Sequence, residues 1–85
     1  MKEFKYVITD PEGIHARPAG ELVKAAKAFS SVIKIVKDGK AGDCKKIFGI
    51  MGLGVKQGNE VTLTFEGGDE EAAYESLYKF MQENL

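Results

Sequence analysis

Residues 60–66 read EVTLTFE, and no other stretch of the chain alternates apolar and polar side chains so regularly. Val61, Leu63 and Phe65 fall on one side of an extended backbone, and the glutamates and threonines fall on the other. Because successive side chains of a strand point to opposite faces of a sheet, the pattern predicts a β-strand buried on one face only. Two glycines follow directly and end the strand.

A helix is predicted after this strand. Asp69 is its candidate N-cap, and Glu70 and Glu71 place negative charge at the positive end of the helix dipole. The face toward the sheet is predicted to carry four apolar side chains and one polar one, namely Ala73, Leu77, Phe80, Met81 and Asn84. The chain is therefore expected to close with a strand and a helix that packs on it.

Three further strands are predicted upstream. Residues 4–9, FKYVIT, alternate in the same way, and residues 32–37, VIKIVK, are rich in β-branched side chains. Asp38 and Gly39 are typical of a hairpin turn, which leads to a short strand near residues 40–42.

The spacing of apolar residues becomes helical in two places. One helix is predicted between Ala16 and Phe29, with a buried face made of Ala19, Leu22, Val23, Ala26 and Phe29. A helix of one or two turns is predicted from Lys46 to Met51, in a segment interrupted by glycines. The resulting order is βαββαβα. Short alternating strands in this order favour an α+β fold with an antiparallel sheet covered on one face by helices.

Composition and charge narrow the function classes. The 85 residues suffice for one domain, residues 1–85, and 44% apolar with 29% charged residues excludes a disordered or fibrous protein. A net charge of -1 gives no overall attraction to nucleic acid or to an anionic membrane. A single cysteine, Cys44, and a charged N-terminus unlike a signal peptide indicate the cytoplasm. We also expect a monomer.

Residues 13–20 read GIHARPAG and contain the only histidine of the chain. If a helix begins at Ala16, His15 is its N-cap, and the free N–H groups of Ala16 and Arg17 form an anion-binding helix end. A neutral imidazole is a nucleophile and a guanidinium binds phosphate, so this cluster can accept and pass on a phosphoryl group. On spacing alone, a solvated histidine remains the commoner interpretation. No cofactor is predicted, and one His with one Cys supplies too few ligands for a metal site.

GIHARPA resembles the histidine motif of the HPr family, the phosphocarriers of the bacterial phosphoenolpyruvate-dependent sugar phosphotransferase system. Residues 45–58, KKIFGIMGLGVKQG, and the later EGGDEEAA extend the resemblance over nearly the whole chain. The resemblance implies an open-faced β-sandwich of four antiparallel strands with three helices on one face. It also implies a phosphoryl carrier rather than an enzyme.

The resemblance implies a role for each residue of the motif. His15 would receive a phosphoryl group on Nδ1 from phospho-enzyme I and hand it to the A component of a sugar-specific enzyme II. Arg17 would stabilise the phosphate, and the backbone of Ala16 and Arg17 would contact it. An alternative stays open, namely a specialised or regulatory relative that acts through protein binding or another phosphorelay. RNA binding is not expected, because aromatic and basic residues do not cluster on the strands.

The two helices nearest His15 supply a candidate docking surface. From the pattern alone, Ile50 and Leu53 face inward, whereas the other apolar residues of the short helix fit core and contact roles equally well. The resemblance favours partner contact for six residues: Gly20, Lys24, Lys27, Ile47, Phe48 and Met51. Four lysines, at positions 24, 27, 45 and 46, are predicted to form a positive rim that attracts acidic partner faces.

Lys46 departs from the family pattern. The family usually has serine there, and in many Gram-positive members a kinase phosphorylates it, which weakens transfer through the active histidine and promotes binding to a transcriptional regulator. Lysine cannot accept that phosphate, and its charge is opposite to that of phosphoserine. We therefore expect this chain to lack the serine-kinase branch of regulation.

Overall fold

The computed structural model describes residues 1–85 and contains four strands and three helices in the predicted order. The first helix ends at Lys27, two residues before the predicted Phe29, and the second begins at Ile47, one residue after the predicted Lys46. The elements are β1 (Lys2–Val7), α1 (Ala16–Lys27), β2 (Val32–Lys37), β3 (Lys40–Asp43), α2 (Ile47–Met51), β4 (Glu60–Glu66) and α3 (Glu70–Asn84).

The first strand is displaced from its predicted position at residues 4–9. It begins at Lys2 and ends at Val7, so both limits lie two residues earlier. Beyond the strand, the backbone N–H of Thr9 donates to the carbonyl of Leu85 instead of a neighbouring strand. A contact with the far end of the chain therefore ends β1, and local periodicity does not reveal it.

The sheet is antiparallel throughout, with the strand order β1-β4-β2-β3. Because β4 lies between β1 and β2, Leu63 pairs with Phe4 on one side and with Ile35 on the other. A strand bonded along both edges satisfies its backbone groups there, and its period of two directs its apolar residues to one face. The segment with the most regular alternation is thus one of the two inner strands of the sheet.

The three helices cover one face of this sheet and complete one apolar core. Leu63 and Phe65 of β4 are fully buried, as are Leu22 of α1 and Leu77 of α3. Burying each such side chain stabilises the fold by about 1.5–3 kcal/mol in transfer free energy. This shared burial fixes α1 against the sheet and so fixes the start of α1, where His15 lies.

The other face of the sheet is open. Val32 is 56% exposed, and Lys34, two residues along the same strand, is also exposed. The architecture is an open-faced β-sandwich of the α+β class, which confirms the fold prediction. None of the helices combines the length and the apolar character that crossing a bilayer requires.

The prediction that the Asp69 side chain caps α3 is wrong, although the predicted N-cap position is correct. Asp69 does occupy the N-cap of α3, but its carboxylate makes no capping hydrogen bond. It accepts the backbone N–H groups of Ser30 at 2.8 Å and Ser31 at 2.9 Å, and also the Ser31 hydroxyl. These hydrogen bonds favour the charged form and lower the pKa of Asp69 to about 2. The carboxylate thus joins the loop after α1 to the start of α3.

Helix α3 buries a narrower face than predicted. Ala73, Leu77 and Met81 are fully buried, but Phe80 is only partly buried and Asn84 is exposed. The Asn84 amide donates to the carbonyl of Phe80 at 3.0 Å, so its polar group is satisfied along its own helix. Asn84 does not face the sheet.

Candidate functional site

The loop before α1 is held against the segment that precedes β4. Ile14 is buried and donates its backbone N–H to the carbonyl of Val55 at 3.1 Å. Gly13 has a φ of +68°, and a Cβ there would lie 2.6 Å from the Cα of Lys56. Only glycine fits this close approach with a left-handed backbone. The docked loop delivers His15 to the first turn of α1.

His15 is the N-cap of α1, as the sequence predicts. Its backbone is extended, with φ −93° and ψ −176°, and its carbonyl accepts the N–H of Ala19 at 3.0 Å. Pro18 has no N–H, so Ala16 and Arg17 carry the two backbone donors of this turn that have no partner in the protein. Two unpaired donors at the positive end of a helix suit an anion.

The imidazole lies at the surface beside this helix end. The His15 side chain is 38% exposed and forms no capping bond to its own helix. It opens onto a depression of about 280 Å³ that is lined by Asp10, His15, Arg17, Pro18, Glu21 and Asn84. Arg17 is exposed and forms no ion pair, so its guanidinium is available to an anion in the same depression.

Acidic residues around His15 are the part of the site that sequence reasoning missed. Asp10 and Glu21 line the depression, and the Oε2 atom of Glu12 lies 3.3 Å from Nε2 of His15. The available signal was that Glu12 precedes the histidine by three residues within a turn, close enough for side-chain contact. The site therefore combines a guanidinium and two free N–H groups with carboxylates, which makes it less purely cationic than the motif suggests.

The residues predicted to contact partners lie on α1 and α2, two helices that meet each other. We call Gly20, Lys24, Lys27, Ile47, Phe48 and Met51 the α1–α2 surface. A Cβ on Gly20 would lie 3.9 Å from Cδ1 of Ile47, so the two helices meet there. Phe48 is 85% exposed and Met51 is 39% exposed, whereas Ile47 packs partly on the core. Ile50 is fully buried and Leu53 partly buried, as predicted.

The predicted rim of four lysines is reduced to three. Lys24, Lys27 and Lys46 are exposed. Lys45 is partly buried, and its Nζ donates to the carbonyl of Phe29 at 2.7 Å, where it stabilises the turn after α1. Because this hydrogen bond holds the ammonium group of Lys45 against the turn, Lys45 stabilises the fold and is not part of the exposed rim.

Lys46 occupies the start of α2. It is the N-cap, with φ −130° and ψ 122°, and its side chain makes no capping bond. Its carbonyl accepts the N–H of Gly49 at 3.0 Å and of Ile50 at 3.3 Å. A positive charge at a helix N-terminus is unfavourable with the dipole, but this side chain is exposed and solvated.

A family model described as "PTS HPr component phosphorylation site" matches residues 2–83 of the chain. The phosphocarrier protein HPr of Lysinibacillus sphaericus is 46% identical over 83 residues, covering 98% of this chain and 94% of the relative. An HPr crystal structure from Thermoanaerobacter tengcongensis superposes with a TM-score of 0.92 at 48% identity, covering 96% of this chain and 92% of that one.

These comparisons place the chain among small phosphocarriers with an open-faced sandwich fold. The chain belongs to the HPr family, the phosphocarriers of the phosphotransferase system for sugar uptake. A dimer of HPr from Thermoanaerobacter tengcongensis is also similar, with a TM-score of 0.78 at 47% identity, covering 98% of this chain and 95% of that one. Some relatives of this chain thus form dimers.

Proposed function

We propose that this protein accepts a phosphoryl group on Nδ1 of His15 from phospho-enzyme I and passes it to the A component of a sugar-specific enzyme II. The observation that carries the proposal is a surface imidazole at the start of α1, beside two backbone N–H groups without a partner in the protein. Membership in a family of phosphocarriers supports the same reaction class.

The transfer depends on positioning and charge stabilisation more than on acid–base chemistry. In the proposed complex, the N–H groups of Ala16 and Arg17 and the Arg17 guanidinium hold the phosphoryl oxygens while Nδ1 attacks phosphorus. Asp10 and Glu21 line the same depression and repel those oxygens. This repulsion favours handing the group on over retaining it, as a carrier requires.

The α1–α2 surface is the proposed docking face for both partners. An exposed aromatic ring and a flexible methionine beside lysines suit a surface that meets more than one protein. Lys24, Lys27 and Lys46 would steer acidic partner faces toward His15, and added salt would slow this association.

We propose further that the acting form is a cytoplasmic monomer with residues 1–85 as one domain. One continuous core of 18 buried residues, to which all three helices contribute, supports a single folding unit. The only cysteine is buried and unpaired, which fits a reducing compartment. Light scattering before and after phosphorylation measures the oligomeric state directly, and the proposal expects the mass of one chain in both.

The experiment that tests the proposal is phosphorylation by enzyme I and phosphoenolpyruvate, followed by addition of an enzyme II A component. We expect one acid-labile phosphoryl group on the chain, its loss in His15→Ala, and its transfer to the A component. A wild-type chain that stays unlabelled, or a His15→Ala variant that is labelled equally, contradicts the proposal.

Lys46 supports a second candidate, a specialised relative that serves another phosphorelay or acts by binding. The side chain at this position has the opposite charge to the phosphoserine that regulates many members. The same experiment separates the two, since a binding-only protein would form a complex with its partner while remaining unlabelled by enzyme I.

A further inference from the structure

The carboxylate of Glu12 is the one acidic group within 4 Å of a ring nitrogen of His15. Its Oε2 lies 3.3 Å from Nε2, the ring nitrogen that is not proposed to carry the phosphoryl group. The turn that presents Glu12 is ordered, because the backbone N–H of Glu12 donates to Oδ1 of Asp10 at 2.8 Å and that of Gly13 donates to the Asp10 carbonyl at 2.9 Å. The contact is thus built on a defined turn beside the docked Gly13.

We propose that Glu12 is a positioning residue for phosphoryl transfer, which fixes the tautomer and orientation of the His15 ring. This inference rests on the proposed function of His15. A neutral imidazole carries one N–H, and an ionised carboxylate can only accept a hydrogen bond. The negative charge of a carboxylate 3.3 Å from Nε2 favours the tautomer with its proton on Nε2, which leaves the lone pair on Nδ1, the atom proposed to attack phosphorus.

The same contact matches the charge that develops during transfer. As the Nδ1–P bond forms, the bond between phosphorus and its donor breaks, and that electron pair leaves with the donor. Nε2 keeps its proton, so the ring becomes positively charged. The carboxylate of Glu12 then stabilises this positive charge. The stabilisation ends when the phosphoryl group passes to the next acceptor, because the ring becomes neutral again.

The remaining charged groups of the depression do not take this role. Asp10 and Glu21 line it but form no ion pair with the ring, and Asp10 is engaged by the turn. Arg17 is a donor and cannot accept the Nε2 proton. Because Glu12 is itself 75% exposed, water screens the contact, and the effect on rate is expected to be moderate.

The test compares Glu12→Ala and Glu12→Gln with wild type and with Glu75→Ala, which removes the same charge from an exposed site on α3. Long-range nitrogen–proton NMR spectra of the unphosphorylated protein, near pH 9 where imidazoles are neutral, report the tautomer. We expect mainly the Nε2–H form in wild type and Glu75→Ala and a larger Nδ1–H fraction in Glu12→Ala. Glu12→Gln should rescue the Nε2–H form only partly, because its amide oxygen carries a partial rather than a full negative charge.

The rate of phosphorylation by enzyme I is the second measurement, on variants whose amide spectra show a native fold. Glu12→Ala is expected to slow it about 1.5- to 5-fold, the range of an exposed charged contact, while Glu75→Ala leaves it unchanged. A tautomer ratio in Glu12→Ala equal to that of wild type overturns the inference. If wild type itself is not phosphorylated, the proposed function fails, and the tautomer ratio still reports on Glu12 independently.

Discussion

Replacing Gly20 by alanine is a perturbation whose sign follows from the geometry of α1. Gly20 lies inside this helix, where glycine is less favourable than alanine by about 0.8–1 kcal/mol. A Cβ added there meets only Cδ1 of Ile47, at 3.9 Å, which is an ordinary contact distance. Alanine therefore fits without displacing α2. We expect Gly20→Ala to raise the free energy of unfolding by about 0.8–1 kcal/mol, and the Tm by about 4–8 °C.

Urea denaturation followed by circular dichroism measures this change, with Gly42→Ala as the matched control. A Cβ on Gly42 would lie 2.9 Å from the carbonyl carbon of Gly49, a backbone atom, so this variant is expected to lose about 1–3 kcal/mol. The two alanines thus have opposite predicted signs. A Gly20→Ala variant that is equal to wild type or less stable would refute the packing argument for α1 and α2.

The same variant also probes partner contact. Nothing within the fold requires glycine at position 20, and Gly20 belongs to the proposed docking face, where an added methyl group would reach a partner first. We expect Gly20→Ala to be more stable and yet phosphorylated more slowly by enzyme I. An unchanged rate would remove Gly20 from the α1–α2 surface as a contact residue.

Three further predictions concern residues outside the histidine site. Because hydrogen bonds lower the pKa of Asp69 to about 2 from 3.8, its stabilisation is complete above about pH 4 and is lost as the pH falls toward 2. Urea midpoints at pH 7, 4 and 2 should fall more steeply for wild type than for Asp69→Asn, and parallel curves would contradict this. Burial raises the pKa of the Cys44 thiol to about 12, so a thiol reagent should modify the unfolded chain rapidly and the native chain hardly at all. Equal modification rates of the native and unfolded chains would contradict this, because they would show that the end of β3 beside Cys44 opens readily in the native protein. Incubation of wild type with the serine kinase of the family and ATP should add no phosphate, as measured by intact mass, whereas Lys46→Ser should gain one phosphoryl group. Phosphorylation of wild type would contradict the expectation that this chain lacks regulation by the serine kinase.

The element predicted most accurately from sequence is an inner strand, which has a neighbouring strand along both edges. β4 is found at residues 60–66 as predicted, because a central strand with one buried face must alternate strictly. β1 ends two residues before its predicted limit because the backbone N–H of Thr9 donates a hydrogen bond to the carbonyl of Leu85, which is distant in sequence. The periodicity of the sequence indicates which face of a strand is buried. It does not indicate which distant residue forms the hydrogen bond that ends the strand.

The side-chain chemistry of Asp69 shows a second kind of limit. Propensity predicts that an aspartate before a helix caps it, yet two N–H groups and a hydroxyl from Ser30 and Ser31 compete for the same carboxylate. These donors lie almost forty residues earlier in the chain. The position of the residue was predictable, whereas its hydrogen-bond partners depended on how the loop after α1 packs.

For the candidate site, the sequence predicts the N-cap position of His15 and the availability of Arg17, since both follow from local helix geometry. The contact with Glu12 was not predicted, because it depends on the left-handed Gly13 and on the docking of that loop against Lys56. The exposure of Phe48 was likewise undecided, since a helix as short as α2 has too few turns for its pattern to define a buried face.

The most direct test of the phosphocarrier account is an amide NMR spectrum of the protein before and after phosphorylation by enzyme I. The account predicts that the N–H groups of Ala16 and Arg17 show the largest downfield shifts, because they gain hydrogen bonds to a phosphoryl group on Nδ1 of His15. A phosphorylated protein in which these two amides keep their shifts, or in which phosphorus is bonded elsewhere, would contradict it.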